Sequence, residues 1–249
     1  MNKNDFFNIL DFGSSKIRFT IYDNKFKEKY FNSVSINVHK DSYDHFDIIN
    51  NIIKDSEKKI SSHIQDIILI IDPVNLLTID ISLSKNLDGE VNLLKVYDSL
   101  ILELNQIINT NYVNHSISDI LLDRCIIDNE IFTNLPKNKN KINNLKVDFK
   151  LICFPKKLIN NVKVKFSKIN INVINFFCTS YVKTLSYLRE LNIKKVSFLE
   201  IGLNRSSFIF FENNKLKFIR TIPVGGNFIT KDISKIFKIT LEEAEKLKK

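Results

Sequence analysis

The chain has no tryptophan, one methionine, three cysteines, four prolines and five glycines among its 249 residues. Its cysteines, Cys125, Cys153 and Cys178, are odd in number, far apart and without the spacing of a metal knuckle. They read as reduced, buried thiols of a cytoplasmic protein, which excludes a disulfide framework. No apolar run approaches the length of a membrane span, and the densest, Ile67 to Ile71, is strand-sized. The opening residues Met1 to Asp5 carry no apolar stretch followed by a small-residue cleavage site, so no secretory signal is expected. Hydrophobic residues, by contrast, make up 44%, enough for a folded core and too many for a disordered chain. The formal net charge of +9 comes from lysines spread along the whole length beside frequent Asn, Ile and Phe. That is a drift in residue usage and not a patch. Aromatics do not interleave with basic residues as a single-strand binder needs, and no nucleic-acid partner is expected.

Two segments share one pattern. Phe7 to Leu10 predict a strand, Asp11-Phe12-Gly13-Ser14-Ser15-Lys16 a tight turn, and Ile17 to Tyr22 a strand alternating at period two. Asp23-Asn24-Lys25 then reverses the chain into a third strand from Phe26. Phe198-Leu199-Glu200-Ile201-Gly202-Leu203-Asn204-Arg205 opens the same order of elements, with a strand at Ser207 to Phe211 and a turn at Glu212-Asn213-Asn214. An offset of 189 residues sets Asp11 on Glu200 without a gap. It also pairs Leu10 with Leu199, Gly13 with Gly202, Lys16 with Arg205, Phe19 with Phe208 and Tyr22 with Phe211. One hairpin after an apolar strand is common; two that place an acid two positions before a turn glycine indicate a duplicated domain.

Each copy ends a strand on a carboxylate and follows it with a turn whose backbone N–H groups and small or cationic side chains suit an anion. Two such turns facing each other can clamp a polyphosphate and its Mg²⁺, with Asp11 and Glu200 holding the metal through water. The candidate phosphate contacts are Gly13, Ser14, Ser15 and Lys16 in the first turn and Gly202, Asn204 and Arg205 in the second. Gly225-Gly226, just before an amphipathic stretch, permits close backbone approach and offers a helix N-terminus to an anion.

The first turn resembles the first phosphate loop of the actin, Hsp70 and sugar-kinase superfamily. Ile222-Pro223-Val224-Gly225-Gly226-Asn227-Phe228-Ile229-Thr230-Lys231-Asp232-Ile233 and then Thr240-Leu241-Glu242-Glu243-Ala244-Glu245-Lys246-Leu247-Lys248 resemble, in that order, consecutive segments of the FtsA family of bacterial cell-division proteins. The resemblance implies an α/β, actin-like (ribonuclease H-like) fold with a duplicated β-β-β-α-β domain and a small inserted α+β subdomain. It implies ATP and Mg²⁺ as ligands, with Gly225, Gly226 and Asn227 beneath the nucleotide. By analogy with Hsp70, Glu245 and Lys248 would face the ribose and adenine. It further implies an assembly role: a scaffold that links FtsZ filaments to the inner membrane, recruits later division proteins and self-associates into filaments. Such a protein works in the cytoplasm, peripheral on the inner face of the membrane at the division site.

The second turn departs from that family. FtsA-like second loops usually read Asp, apolar, three Gly, then Thr; here Leu203 and Asn204 replace two glycines and Arg205 the threonine. Side chains at the former glycines crowd the γ-phosphate, while the Arg205 guanidinium suits phosphate charge. The expectation is at most a weak ATPase, and no catalytic residue is assigned. A type IV pilus assembly protein of the PilM kind, which shares the fold and an extra subdomain, stands as the alternative. A sugar-kinase-type phosphotransferase would need a catalytic Asp in a substrate cleft, and no segment offers one.

Residues 1–83 and 169–192 are expected to form the first actin-like subdomain, 84–168 the inserted subdomain, and 193–249 the start of a second, incomplete one. In the first, Asp47 to Ser61 has helical apolar spacing, and Leu76 to Leu83 reads as a strand. The insert holds an amphipathic helix through Leu94, Tyr97, Leu100, Ile101 and Leu104, strands near Ile117 to Ile127 and Leu145 to Phe154, and an amphipathic element at Lys156 to Phe166. His39, His45, His63 and His115 show no zinc spacing, and no Ser–His–Asp or Cys–His set can be assembled. Lys249 falls inside a predicted helix with no cap signal. The Gly-rich adenosine loop, the FtsZ-facing subdomain and the amphipathic membrane tail that the resemblance implies would follow it, so a fragment or truncated product is expected.

Overall fold

A computed structural model describes residues 6–36, 45–87, 89–136, 139, 141–188, 191 and 193–248. His39 and Lys249 lie outside these residues. In chain order the elements are β1 (Phe6–Phe12), β2 (Lys16–Asp23), β3 (Glu28–Ser35), α1 (His45–Ile60), β4 (Asp66–Ile71), β5 (Leu77–Asn86), α2 (Leu93–Asn111), β6 (His115–Ile127) and β7 (Glu130–Phe132). There follow β8 (Asn144–Pro155), α3 (Lys156–Ser167), β9 (Asn172–Cys178), α4 (Thr179–Leu188), β10 (Lys195–Ile201), β11 (Ser206–Glu212), β12 (Lys215–Ile222), α5 (Gly226–Phe237) and α6 (Leu241–Lys248).

The first sheet runs β3-β2-β1-β4-β9, antiparallel through β1 and parallel from β1 to β9. Period-two alternation puts Leu10, Ile17, Phe19, Ile21, Ile67 and Leu69 on one face, all buried. Helix α1 covers that face with Ile49, Ile52 and Ile53, an i, i+3, i+4 stripe, and α3 adds Leu158, Val162 and Phe166. Each such side chain contributes about 1.5–3 kcal/mol by leaving water. Phe46 of α1 meets Phe166 of α3 edge-on at 5.2 Å, so the two helices lie side by side.

The inserted sheet runs β5-β8-β6-β7, and α2 lays Leu93, Leu100, Leu104 and Ile108 in a second core with Val147, Phe149, Leu151 and Cys153. The strand expected to close the first subdomain is β5, which instead pairs with one edge of β8 from Leu77↔Cys153 to Asn86↔Asn144, while β6 takes the other edge. The stripe of α3 is buried in the core of the first sheet, together with Ile152 and Phe154 from the end of β8.

The third sheet, β10-β11-β12, repeats the first hairpins in detail. Asp11 pairs with Arg18 as Glu200 pairs with Ser207, and the register slips between Ile21 and Tyr22 as it slips between Phe210 and Phe211. A β-bulge is a position-specific device. Its return at the same offset of 189 residues shows one unit used twice. The copies differ in which face is covered. In the second, Ser207, Ile209 and Phe211 are buried, with Tyr181 of α4 stacked on Phe211 at 6.2 Å. No helix among the described residues is long and apolar enough to cross a membrane.

Candidate phosphate cleft

Both hairpin turns close alike: Gly13 N donates to Lys16 O at 3.1 Å, and Gly202 N donates to Arg205 O at 2.8 Å. A Cβ at Gly13 would stand 2.8 Å from Lys16 O, too close for an ordinary side chain, and one at Gly202 would stand 3.1 Å from Arg205 O, a tight contact that asks the carbonyl to give by a few tenths of an ångström. The two turns bring the ends of β1 and β10 to one cleft of about 200 Å³. Asp11, Gly13, Ser14, Ser15, Lys16 and Arg18 line one side, Glu200, Gly202, Leu203 and Arg205 the other. Asp72, Thr179, Lys183, Ile201 and Ser207 complete the lining. Pockets for whole small molecules span about 300–1,000 Å³. The cleft therefore suits phosphate groups and not an entire nucleotide.

Four cationic side chains, Lys16, Arg18, Lys183 and Arg205, share this space with three carboxylates, Asp11, Asp72 and Glu200. Arg18 Nη1 donates to Asp11 Oδ2 at 2.7 Å, and Lys183 Nζ donates to Glu200 Oε1 at 2.5 Å. Asp72 is buried where β4 ends. Its Oδ1 accepts from Ser180 N at 3.0 Å, Ser180 Oγ at 3.2 Å and Cys178 Sγ at 3.1 Å. Its Oδ2 lies 3.8 Å from Arg205 Nε, which ties the second turn to the start of α4. Burial, with the Asp72 charge beside it, pushes the Cys178 thiol well above its ordinary range, so it is not a nucleophile. Burial alone raises the Cys125 thiol and takes Cys153 to about 11.

Two buried polar atoms on residues that line the cleft have no hydrogen-bond partner among the described residues: Asp11 Oδ1, an acceptor, and Thr179 Oγ1, on a residue only 4% exposed. Leaving such a group unmet costs about 1–3 kcal/mol, so an open donor and an open acceptor point to a ligand or ordered water.

The other expected site residues lie elsewhere. Asn204 lines a neighbouring, more apolar cleft of about 620 Å³ with Phe12, Ile71, Pro73, Leu158 and Val162, and accepts from Asn227 Nδ2 at 3.2 Å. Gly225, Gly226, Asn227, Glu245 and Lys248 do not line the small cleft. The α5 N-terminus, expected to face an anion, is filled by the second turn: Gly226 N donates to Gly202 O at 2.9 Å and Asn227 N to Leu203 O at 2.8 Å. Lys248 Nζ donates to Glu245 Oε2 at 2.6 Å, Thr230 Oγ1 at 2.9 Å and Gly226 O at 3.2 Å, which locks α6 onto α5. Among the described residues no three His, Cys, Asp or Glu side chains are placed to hold a metal. His63 pairs with Glu57, and His115 Nε2 lies 3.2 Å from Asn75 O, both away from the cleft.

Sequence reasoning missed Arg18, Asp72, Thr179 and Lys183. Asp72 carried a usable signal, since Ile67 to Ile71 ends on an acid just as Phe7 to Leu10 does. Lys183 carried none.

The duplicated hairpins, their shared register and the inserted subdomain define the actin-like ATPase fold. A solved structure of the PilM–PilN type IV pilus biogenesis complex matches with a TM-score of 0.63, covering 97% of this chain and 68% of that one. At 13% identity that likeness concerns the fold alone. In sequence, residues 198–249 match the family described as cell division protein FtsA. Cell division protein FtsA of Bacillus subtilis (strain 168) is 43% identical over 54 residues, which is 22% of this chain and 12% of that protein. Cell division protein FtsA of Streptococcus pneumoniae (serotype 2, strain D39) is 25% identical over 95 residues, 38% of this chain and 21% of that protein. The matched stretches thus span less than a quarter of either relative.

Proposed function

We propose that the chain is the nucleotide-binding portion of an FtsA-type cell-division scaffold, and that the cleft between its twin turns takes the phosphates of ATP. One observation carries the phosphate reading: four cationic side chains line a space of phosphate size, beside a buried Thr179 hydroxyl without a partner. In this reading Lys16 and Arg205 neutralise the phosphates from opposite sides, while the N–H groups of the Gly13-Ser14-Ser15 turn approach from the first copy. The match of residues 198–249 supports the division assignment. By that similarity the wider role is to link FtsZ filaments to the inner membrane, recruit later division proteins and self-associate. A pilus-assembly role of the PilM kind is the second reading, compatible with the shared fold. Co-sedimentation with FtsZ polymers, run on a protein that includes the FtsZ-facing subdomain, tests the division role: pelleting above the level of a non-binding control supports it, and none refutes it.

Mg²⁺, implied by the fold class, fits the cleft poorly. Asp11 and Glu200 were its expected holders, yet each carboxylate in the cleft has a side-chain cation within hydrogen-bond or ion-pair distance, at 2.7 Å, 2.5 Å and 3.8 Å. Mg²⁺ sites ordinarily offer one or two carboxylates free for the ion and its waters. The Asp11 oxygen left over suits a water or a ligand hydroxyl, so no step is derived through a metal. Thermal melting with and without ATP tests the binding reading, because a ligand stabilises the state it binds by about 2.7 kcal/mol at a hundred times its Kd. A rise is expected; an unchanged midpoint at millimolar ATP refutes it.

A further inference from the structure

Resting on that polyphosphate reading, we infer that the cleft binds polyphosphate without a divalent metal, because Arg18 and Lys183 stand where the metal would be held. The two copies reach this state by different routes. In the first, Arg18 is the cross-strand partner of Asp11 and pairs with it directly. In the second, the matching position is Ser207, whose hydroxyl is 3.0 Å from Thr221 Oγ1 and which supplies no charge. There the cation arrives from another element: Lys183, on the second turn of α4, pairs with Glu200. A symmetric pair of acids has thus acquired two unrelated cations.

The charge count agrees. Lys16, Arg18, Lys183 and Arg205 against Asp11, Asp72 and Glu200 leave the cleft one positive charge in excess before anything binds. A divalent ion would add two more charges to that excess, and like charges at ~4 Å repel by about 1–4 kcal/mol each between bulk water and a partly screened surface. A polyphosphate instead adds three or more negative charges. Arg18 and Lys183 side chains are 38% and 44% exposed, free enough to turn from their acids onto phosphate oxygens. Thr179 and the first turn then donate hydrogen bonds.

The test is calorimetric titration of the 249-residue chain with inorganic tripolyphosphate and, separately, ATP, in EDTA and in millimolar Mg²⁺. Tripolyphosphate should bind in EDTA within about threefold of its affinity in Mg²⁺, and both should weaken as salt screens the cleft. The double variant Arg18→Gln, Lys183→Gln should lose at least about tenfold in EDTA, with Mg²⁺ restoring part of the loss as Asp11 and Glu200 are released. Binding of the unaltered chain that is tenfold or more tighter in Mg²⁺ overturns the metal-free inference and leaves the polyphosphate reading standing. Tripolyphosphate and ATP failing to bind in either medium overturns both. The first comparison uses only the unaltered chain, so it does not depend on the variant folding.

Discussion

Replacing Gly225 by alanine adds one methyl group at a place where three backbone atoms already stand. An added Cβ would lie 2.5 Å from Gly202 O, 2.6 Å from Arg205 N and 2.6 Å from Leu203 O. None of these can swing aside as a flexible side chain would, so α5 or the second turn must shift. Either shift breaks the hydrogen bonds from Gly226 N to Gly202 O and from Asn227 N to Leu203 O. Each costs about 1 kcal/mol net, and overpacking adds roughly 1–3 kcal/mol. The expected loss is about 3–5 kcal/mol, which for a chain of this size lowers the melting midpoint by roughly 6–20 °C. Gly226→Ala is the matched control. Its Cβ meets Lys248 Nζ at 3.4 Å, the end of a mobile side chain, and Gly202 O at 3.8 Å. Alanine is also about 0.8–1 kcal/mol better than glycine within a helix. The control should therefore melt within a few degrees of the unaltered chain. Calorimetric melting of both proteins side by side decides the matter, and equal midpoints would refute the claim that the second turn seats directly on Gly225.

Two other outcomes follow from burial. The Asp119 carboxyl, raised by burial to about 6 from an ordinary 3.8, makes the fold more stable when protonated. That contribution is complete below about 3.8 and is lost as pH rises through about 6. The melting midpoint should fall across this window, and Asp119→Asn should flatten the fall; a variant with the same pH slope would sink the argument. Phe211→Ala removes a ring that is 1% exposed beneath Tyr181 and should cost about 3–5 kcal/mol in urea denaturation. Phe208→Ala, on the uncovered face at 39% exposure, should cost well under half of that, and the reverse order would mean the sheet buries its other face.

The parts of this fold that were legible in the sequence are those set by neighbours along the chain. The hairpins, their turn glycines and the offset linking Asp11 with Glu200 depend on period-two alternation and tight turns, and the paired registers agree with them. What stayed hidden depends on distant partners. Nothing near Leu77 reveals that β5 will pair with β8, some seventy residues on, instead of extending the first sheet. The Gly225-Gly226 pair reads equally well as an anion site or as a place for another backbone, and only the carbonyls of Gly202 and Leu203 decide between them. Lys183 looks like any solvent-facing lysine on a helix until β10 brings Glu200 beside it.

That last placement follows from how the two copies share α4. In both sheets the acid lies on the same face by register: Asp11 with Arg18, Glu200 with Ser207. In the first copy α1 and α3 cover the opposite face, where Leu10, Phe19 and Tyr30 are buried. In the second the matching residues Leu199, Phe208 and Phe218 are 64%, 39% and 39% exposed, and α4 covers the acid's own face instead. One helix thus closes the second sheet and begins at the cleft, with Thr179 and Ser180 at its first residues and Lys183 one turn later. A lysine one turn into a helix that packs on the face carrying Glu200 is within reach of that acid, whatever ligand is present. Among the described residues no such helix lies over Asp11 in the first copy, and there the cation, Arg18, comes from the neighbouring strand. The same duplication that made the cleft recognisable therefore also made its two halves acquire their charges differently.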